Sequence, residues 1–229
     1  MNAVAQHGEF WRSRLYVPNY RIRDAAQYAH LSAQTVASWH KPISSNQRGV
    51  LGPKDKGAAL SYLQLIELAV AAACKDAGMK LADIRAARSF FAGAYETEYP
   101  FATLRLATDG VDLATKAGAE LLIGNRGGQM AWKKIIGDRF KEFEYDEEGR
   151  ATRWHVAGKG SPVMIDPRVR FGAPHVGGVP TWVLKDRWQV GESVKDIADD
   201  FDLRPPQVDK ALEFEGVDVA VAKRASWNH

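Results

Sequence analysis

The side chains best equipped for chemistry near the start of this sequence lie in IRDAAQYAHLSAQTVASWHK, residues 22–41. Gln34, Thr35 and Ser38 carry hydrogen-bonding groups of the kind that read base edges in a duplex major groove, with Ser32 just before them. Around them stand Arg21, Arg23, Lys41, Arg48, Lys54 and Lys56, cations suited to neutralising phosphates and setting register. Residues 1–60 hold eight Lys or Arg against three Asp or Glu, a local charge of +5 in a chain whose net charge is +3. Residues 192–218 hold three bases against nine acids, a local charge of −6. A polyanion is accepted by the first stretch and repelled by the second.

Other candidate chemistry is sparse. The six histidines, at 7, 30, 40, 155, 175 and 229, show no metal-ligand spacing of the H-E-x-x-H type. GNRGG at 124–128 and GKGS at 158–161 lack the glycine and lysine spacing of a phosphate-cradling loop. Asp166, Arg168 and His175 are close enough in sequence to form a site, but a carboxylate in IDPR first of all stabilises its own turn. Cys74, the single cysteine, excludes an intrachain disulfide and falls in an alanine-rich helix, where it reads as buried and inert. The expectation is therefore a protein without catalysis, metal or cofactor. The tail VAKRASWNH, residues 221–229, adds Lys223, Arg224 and Trp227, types that anchor protein interfaces.

The groove-reading residues need a scaffold. A helix expected over 24–30 has Asp24 near its positive end, and a second begins after Ser32 as N-cap and stops at Pro42. On the second helix Val36, Trp39 and His40 share a face with Leu31, opposite Gln34, Ser38 and Lys41. Two short helices crossing through a tight turn present the second to a groove about 12 Å wide. Tyr20-Arg21-Ile22 reads as a short strand or extended lead-in, and residues 42–60 as a basic loop or two-stranded wing. Ser61 caps an apolar helix that ends at Gly78, and a further helix follows over 81–91. Beyond it, two short segments flank Asp109-Gly110, ELLIGN reads as a strand, and Glu148-Gly149 turns a β-hairpin. A change of texture at AGKGSP, residues 157–162, marks a domain boundary. Three helices close the chain at 181–189, 193–201 and 205–216, with Ser193 capping the second and Pro205-Pro206 opening the third. This last group has helix-turn-helix spacing too, but its acids assign it to protein contact.

No apolar run reaches the roughly 18–20 residues of a membrane span, and the first residues lack a signal-peptide core. A cytoplasmic protein is expected.

Residues 20–91, through YRIRDAAQYAHLSAQTVASWH and the helices after the basic loop, resemble a MerR-type winged helix-turn-helix. Residues 163–216, through VMIDPRVRFGAP, VGGVPT and GESVKDIADDF, are similar to a small domain of formerly unknown function. In order and spacing the chain resembles VapB-like antitoxins. The resemblance implies a homodimer that binds operator DNA, represses its own operon and neutralises a PIN-like ribonuclease toxin. Lys223, Arg224 and Trp227 are the implied toxin contacts, with Arg224 placed to pair with the carboxylates of such a nuclease. Where the resemblance implies arginine in the second helix, this chain has Ala37 and Ser38, which moves base reading onto Gln34, Thr35 and the flanking cations.

The expected fold is mainly α with minor β. It comprises a winged helix-turn-helix over 1–91, a connecting α/β segment with a hairpin over 92–160, and a C-terminal three-helix domain with its tail over 161–229. Helix 61–77 is the candidate dimer seam, the acidic C-terminal module its rival. Two other functions fit the residues. One is a stand-alone MerR-like regulator that senses a small molecule through the middle segment. The other is a hydrolase built on Asp166 and His175.

Overall fold

The computed structural model describes residues 10–44, 49–54, 57, 59–103, 106 and 137–219. It is mainly α with two small antiparallel sheets, and the chain divides into two compact units, Met1–Thr152 and Arg153–His229. The expected segments at Asp109-Gly110 and ELLIGN fall outside the described residues.

Unit one opens with α1 (Ile22–Tyr28) and α2 (Ala33–Trp39), which pack closely on each other. The first ends two residues earlier than its composition suggests because of how the backbone turns. His30 adopts a left-handed φ of 53°, its N–H reaches Gln27 O at 3.2 Å, and the Leu31 N–H reaches Ala26 O at 2.8 Å. This paired arrangement satisfies orphan carbonyls at a helix end. Ser32 then caps α2 as expected, its Oγ accepting the Thr35 N–H at 3.0 Å. Of the two readings of 20–22, the extended lead-in is the one found: Tyr20 makes a single bridge with Leu60, and Ile22 already belongs to α1. Among the described residues of 42–60 there is no strand ladder.

The centre of unit one is α3 (Tyr62–Asp76), started by a Ser61–Gln64 capping box and ended at Gly78, whose φ is +88°. Leu63, Leu65, Ile66, Leu68, Val70 and Cys74 are buried around its whole circumference. A helix apolar on every side belongs inside its own domain, so this one is used up in the core and does not serve as a dimer seam. The helix α4 (Leu81–Ala94) and a helical turn at Pro100–Ala102 pack against it. Glu67, 2% exposed, links all three: it accepts the Arg88 Nε–H and, at 2.7 Å, the Phe101 N–H. The expected hairpin is present as β1 (Phe143–Tyr145) and β2 (Ala151–Trp154). Asp146 Oδ1 accepts the N–H groups of Glu148 and Arg150 across its turn.

In unit two, Trp154 exchanges backbone hydrogen bonds with Ile165, and Met164 does so with His175. That pairing holds AGKGSP inside the unit, so the boundary lies between 152 and 153 and not at 157–162. The strands β3 (His175–Val176) and β4 (Val179–Pro180) meet through Gly177-Gly178, both at positive φ. Three helices follow: α5 (Thr181–Gln189), α6 (Val194–Asp200) and α7 (Pro205–Phe214). Ser193 caps α6 and Pro205 opens α7, and the three pack around Leu184, Ile197, Val208 and Leu212. No described helix is long and apolar enough to cross a membrane.

Candidate nucleic-acid interface

The exposed surface of the helix pair follows from how α2 is seated. Val36, Trp39 and His40 are buried, and the opposite face presents Gln34 and Ser38 one turn apart, with Lys41 three residues further on. Gln34 is exposed and makes no hydrogen bond among the described residues, so its amide is available to a base edge. The hydroxyls are more committed than the sequence suggests. Ser32 Oγ and Thr35 Oγ1 bond each other at 2.8 Å, and Ser38 Oγ donates to Thr35 O at 2.8 Å. Thr35 is also half-buried. Of the four side chains, Gln34 is therefore the one left uncommitted, with Ser38 retaining acceptor capacity and Ser32 and Thr35 serving the start of the helix.

Arg21, Arg23 and Lys41 are exposed and form no ion pair among the described residues. Arg21 precedes α1, Arg23 lies in its first turn, and Lys41 follows α2, so the cations bracket the helix pair. Lys54 is half-buried, and its charge adds to the lowering of His40 basicity that burial begins. Arg48 and Lys56 lie outside the described residues, as do Lys223, Arg224 and Trp227.

Two buried polar clusters went unseen in the sequence. One is the Glu67–Arg88 pair, in which Arg88 also donates to Glu98 O at 2.6 Å. Burial raises the Glu67 carboxyl, and Arg88 with the Phe101 N–H opposes that rise. An acid at the centre of an apolar helix was the available signal. The other is His40, 6% exposed, whose Nδ1–H donates to Gly52 O at 2.8 Å. Gly49 must be glycine here: a Cβ would lie 2.4 Å from Trp39 O and 2.7 Å from Lys41 O.

In unit two, Asp166 acts as a turn carboxylate. It accepts the Arg168 N–H at 2.9 Å, Arg168 Nη2 at 2.7 Å and Arg153 Nε at 3.1 Å. Burial would raise its carboxyl, but these donors outweigh burial and hold it below the usual range. His175 Nδ1 accepts the Gly178 N–H at 3.2 Å, so the imidazole pins the β3–β4 turn. Burial also lowers its basicity. The acidic end is less bare than its composition implies, since Arg187 pairs with Glu192 and Asp200, Lys210 with Glu213, and Lys185 with Glu215.

Such a layout, an exposed helix-turn-helix face in one unit and a three-helix module in the other, has counterparts among known proteins. Residues 163–214 match a family described as "Protein of unknown function (DUF433)". The chain is similar in fold to the X-ray crystal structure of Rv2018 from Mycobacterium tuberculosis. The TM-score is 0.69 and the identity 20%, over 87% of this chain and 99% of that one. No curated protein matches.

Proposed function

We propose that the protein is a DNA-binding antitoxin. Unit one binds operator DNA as a homodimer and represses its own operon, while unit two and the tail engage a PIN-like ribonuclease in the cytoplasm. The observation that carries the DNA-binding part is the exposed surface of Gln34 and Ser38 on α2 with Lys41 just after it, flanked by Arg21 and Arg23, which form no ion pair among the described residues. A dimer follows from geometry, because one helix in one groove reads few bases and twofold half-sites double the readout. The antitoxin part is supported by the resemblance of 20–91 and 163–216 to VapB-like proteins and by the separation of charge between the two ends.

A gel shift with the chain's own promoter, at two salt concentrations, tests the DNA-binding part. Log affinity should fall with log salt at about 0.9 per phosphate contacted. Equal affinity for promoter and random duplex, with no salt dependence, would overturn it. The toxin part is tested with the chain truncated after Val219, which keeps every described residue. Loss of the neighbouring PIN-like nuclease from a pull-down supports the tail as the contact, and undiminished capture removes Lys223, Arg224 and Trp227 from that role.

A further inference from the structure

Three large apolar side chains of unit two stand in solvent: Phe171, Trp182 and Val190, at 70%, 54% and 79% exposed. Phe171 is held there by an unusual backbone. Arg170, Phe171 and Gly172 take left-handed φ angles of 47°, 56° and 78° in succession. The turn is closed by the Gly172 N–H on Val169 O at 2.9 Å and the Ala173 N–H on Arg170 O at 3.2 Å. Left-handed backbone is costly for an L-residue, and two such residues side by side are rare. They persist only where the surroundings over-determine them. Here Asp166, 2% exposed, accepts the Arg168 N–H on Oδ1 and the Val169 N–H on its carbonyl, both at 2.9 Å. On the other side of the turn, Pro174 O accepts the Thr181 N–H at 2.9 Å and ties it to the start of α5. The buried carboxylate therefore braces a turn that holds Arg170 and Phe171 out as a finger.

The other exposed apolar residues lie on α5 and its C-cap. Trp182, Asp186 and Val190 are spaced four apart, so they form one stripe on the outer side of the helix, away from the buried Leu184. Arg170 and Asp186 are both exposed, and neither forms an ion pair among the described residues. The charge of the unit is divided in the same sense. Residues 153–185 hold five Lys or Arg against Asp166 alone, a charge of +4, and residues 186–218 hold four against ten acids, a charge of −6. A cation beside a phenyl ring is thus the complement of an acid between two apolar side chains. Within one copy all five of these side chains stay exposed, so the match is met by a second copy. We propose that unit two pairs with a second copy of this chain about a twofold axis, Phe171 of each lying on Val190 of the other and Arg170 pairing with Asp186 there. Two antiparallel α5 helices bring each finger to the other's C-terminal end, where the helix dipole also favours a cation. This inference rests on the homodimer of the functional reading and names its seam.

Sedimentation equilibrium of the full chain tests the proposal. A monomer–dimer equilibrium is expected with a Kd on the order of 1–10 μM, weakening as salt rises. Arg170→Asp and Asp186→Arg should each weaken the dimer about tenfold or more, and the two together should restore it to within about threefold. Phe171→Asn relaxes the turn, because asparagine tolerates the left-handed region. It should weaken the dimer while leaving the melting temperature of the dilute monomer unchanged or higher. A dimer of wild-type strength in Arg170→Asp and Phe171→Asn overturns the seam and leaves the homodimer reading standing. A wild-type chain that stays monomeric up to about 100 μM overturns both. Losses in the two single charge variants without recovery in the double overturn the Arg170–Asp186 pairing. Wild-type dimerisation by Phe171→Asn, together with loss of the PIN-like nuclease from a pull-down, would give the finger to the toxin and overturn the seam.

Discussion

His30 and Asp202 occupy the same position in two helix connections of equal length. Each is the second of four residues joining a seven-residue helix to its successor, and their φ angles are 53° and 54°. In each case the next residue returns its N–H to the first helix, Leu31 to Ala26 O at 2.8 Å and Leu203 to Ala198 O at 2.9 Å. The backbone of the helix-turn-helix is thus built twice in one chain. What distinguishes the copies is charge: Arg21, Arg23 and Lys41 border the first, and Glu192, Asp196, Asp199 and Asp200 border the second. Backbone geometry alone therefore does not tell the two modules apart, and the sign of the surrounding charge does.

Neither turn uses glycine, although the left-handed region costs an L-residue about 1–2 kcal/mol. His30→Gly should leave unit one as stable or up to about 1 kcal/mol more stable, the gain being offset by the freedom glycine has when unfolded. His30→Val, with a branched Cβ at positive φ, should cost about 1–2 kcal/mol. Urea denaturation of the two variants checks the pair, and equal stability of valine and glycine would refute the turn geometry.

On DNA, single substitutions separate positioning from reading. Lys41→Ala, Arg21→Ala and Arg23→Ala should each weaken all duplexes alike and reduce the salt slope by about one. Gln34→Ala should instead reduce preference for the operator by about 1–3 kcal/mol while leaving the salt slope intact. Thr35→Ala should act through stability, costing about 1 kcal/mol, because its hydroxyl bonds the Ser32 cap. Affinity titrations at several salt concentrations distinguish the three outcomes.

The Glu67–Arg88 pair joins α3, α4 and the 100–102 turn where no solvent screens it, with side chains 2% and 9% exposed. Glu67→Ala leaves a buried guanidinium and the Phe101 N–H without their acceptor, and should destabilise unit one by about 3–5 kcal/mol. Exchanging both residues for apolar ones, as Glu67→Met with Arg88→Met, should recover much of that loss. A double-mutant cycle by chemical denaturation measures the coupling, and additive losses would show that the pair does not act as a unit.

The elements most legible in sequence were those whose signals are local. Ser32, Ser61 and Ser193 cap their helices because each offers an oxygen to an N–H three residues on, and Pro205 marks a helix start because its missing N–H costs nothing there. The exposed face of α2 followed from the spacing of Val36 and Trp39. What was missed depends on contacts distant in sequence. Nothing near Glu67 announces Arg88, 21 residues away, and nothing near His40 announces Gly52. The position of α1 was placed two residues late because alanine-rich sequence continues past Tyr28, whereas the turn at His30 ends the helix. The apolar run of α3 was visible, but burial in its own core and burial in a dimer seam have the same composition.

Two imidazoles give each unit its own response to acid. Burial holds His40 in unit one and His175 in unit two below the ordinary value of 6.5. The unfolded chain binds protons at those positions before the folded chain does, so their contribution is complete above pH 6.5 and is lost as pH falls below it. Asp166 acts later and in the same direction. Its lowered carboxyl contributes above the ordinary value of 3.8, and that contribution disappears as pH falls through the folded value. Urea midpoints should therefore decline in two stages on acidification. His40→Asn should flatten the first stage in unit one only. His175→Asn, whose amide oxygen still accepts the Gly178 N–H, should do so in unit two only. Asp166→Asn should leave the first stage intact and lower stability at neutral pH by about 1–3 kcal/mol, because Arg153 and Arg168 lose a charged acceptor. A midpoint that stays level between pH 7 and 5 would show that the folded protein protonates both imidazoles as readily as the open chain.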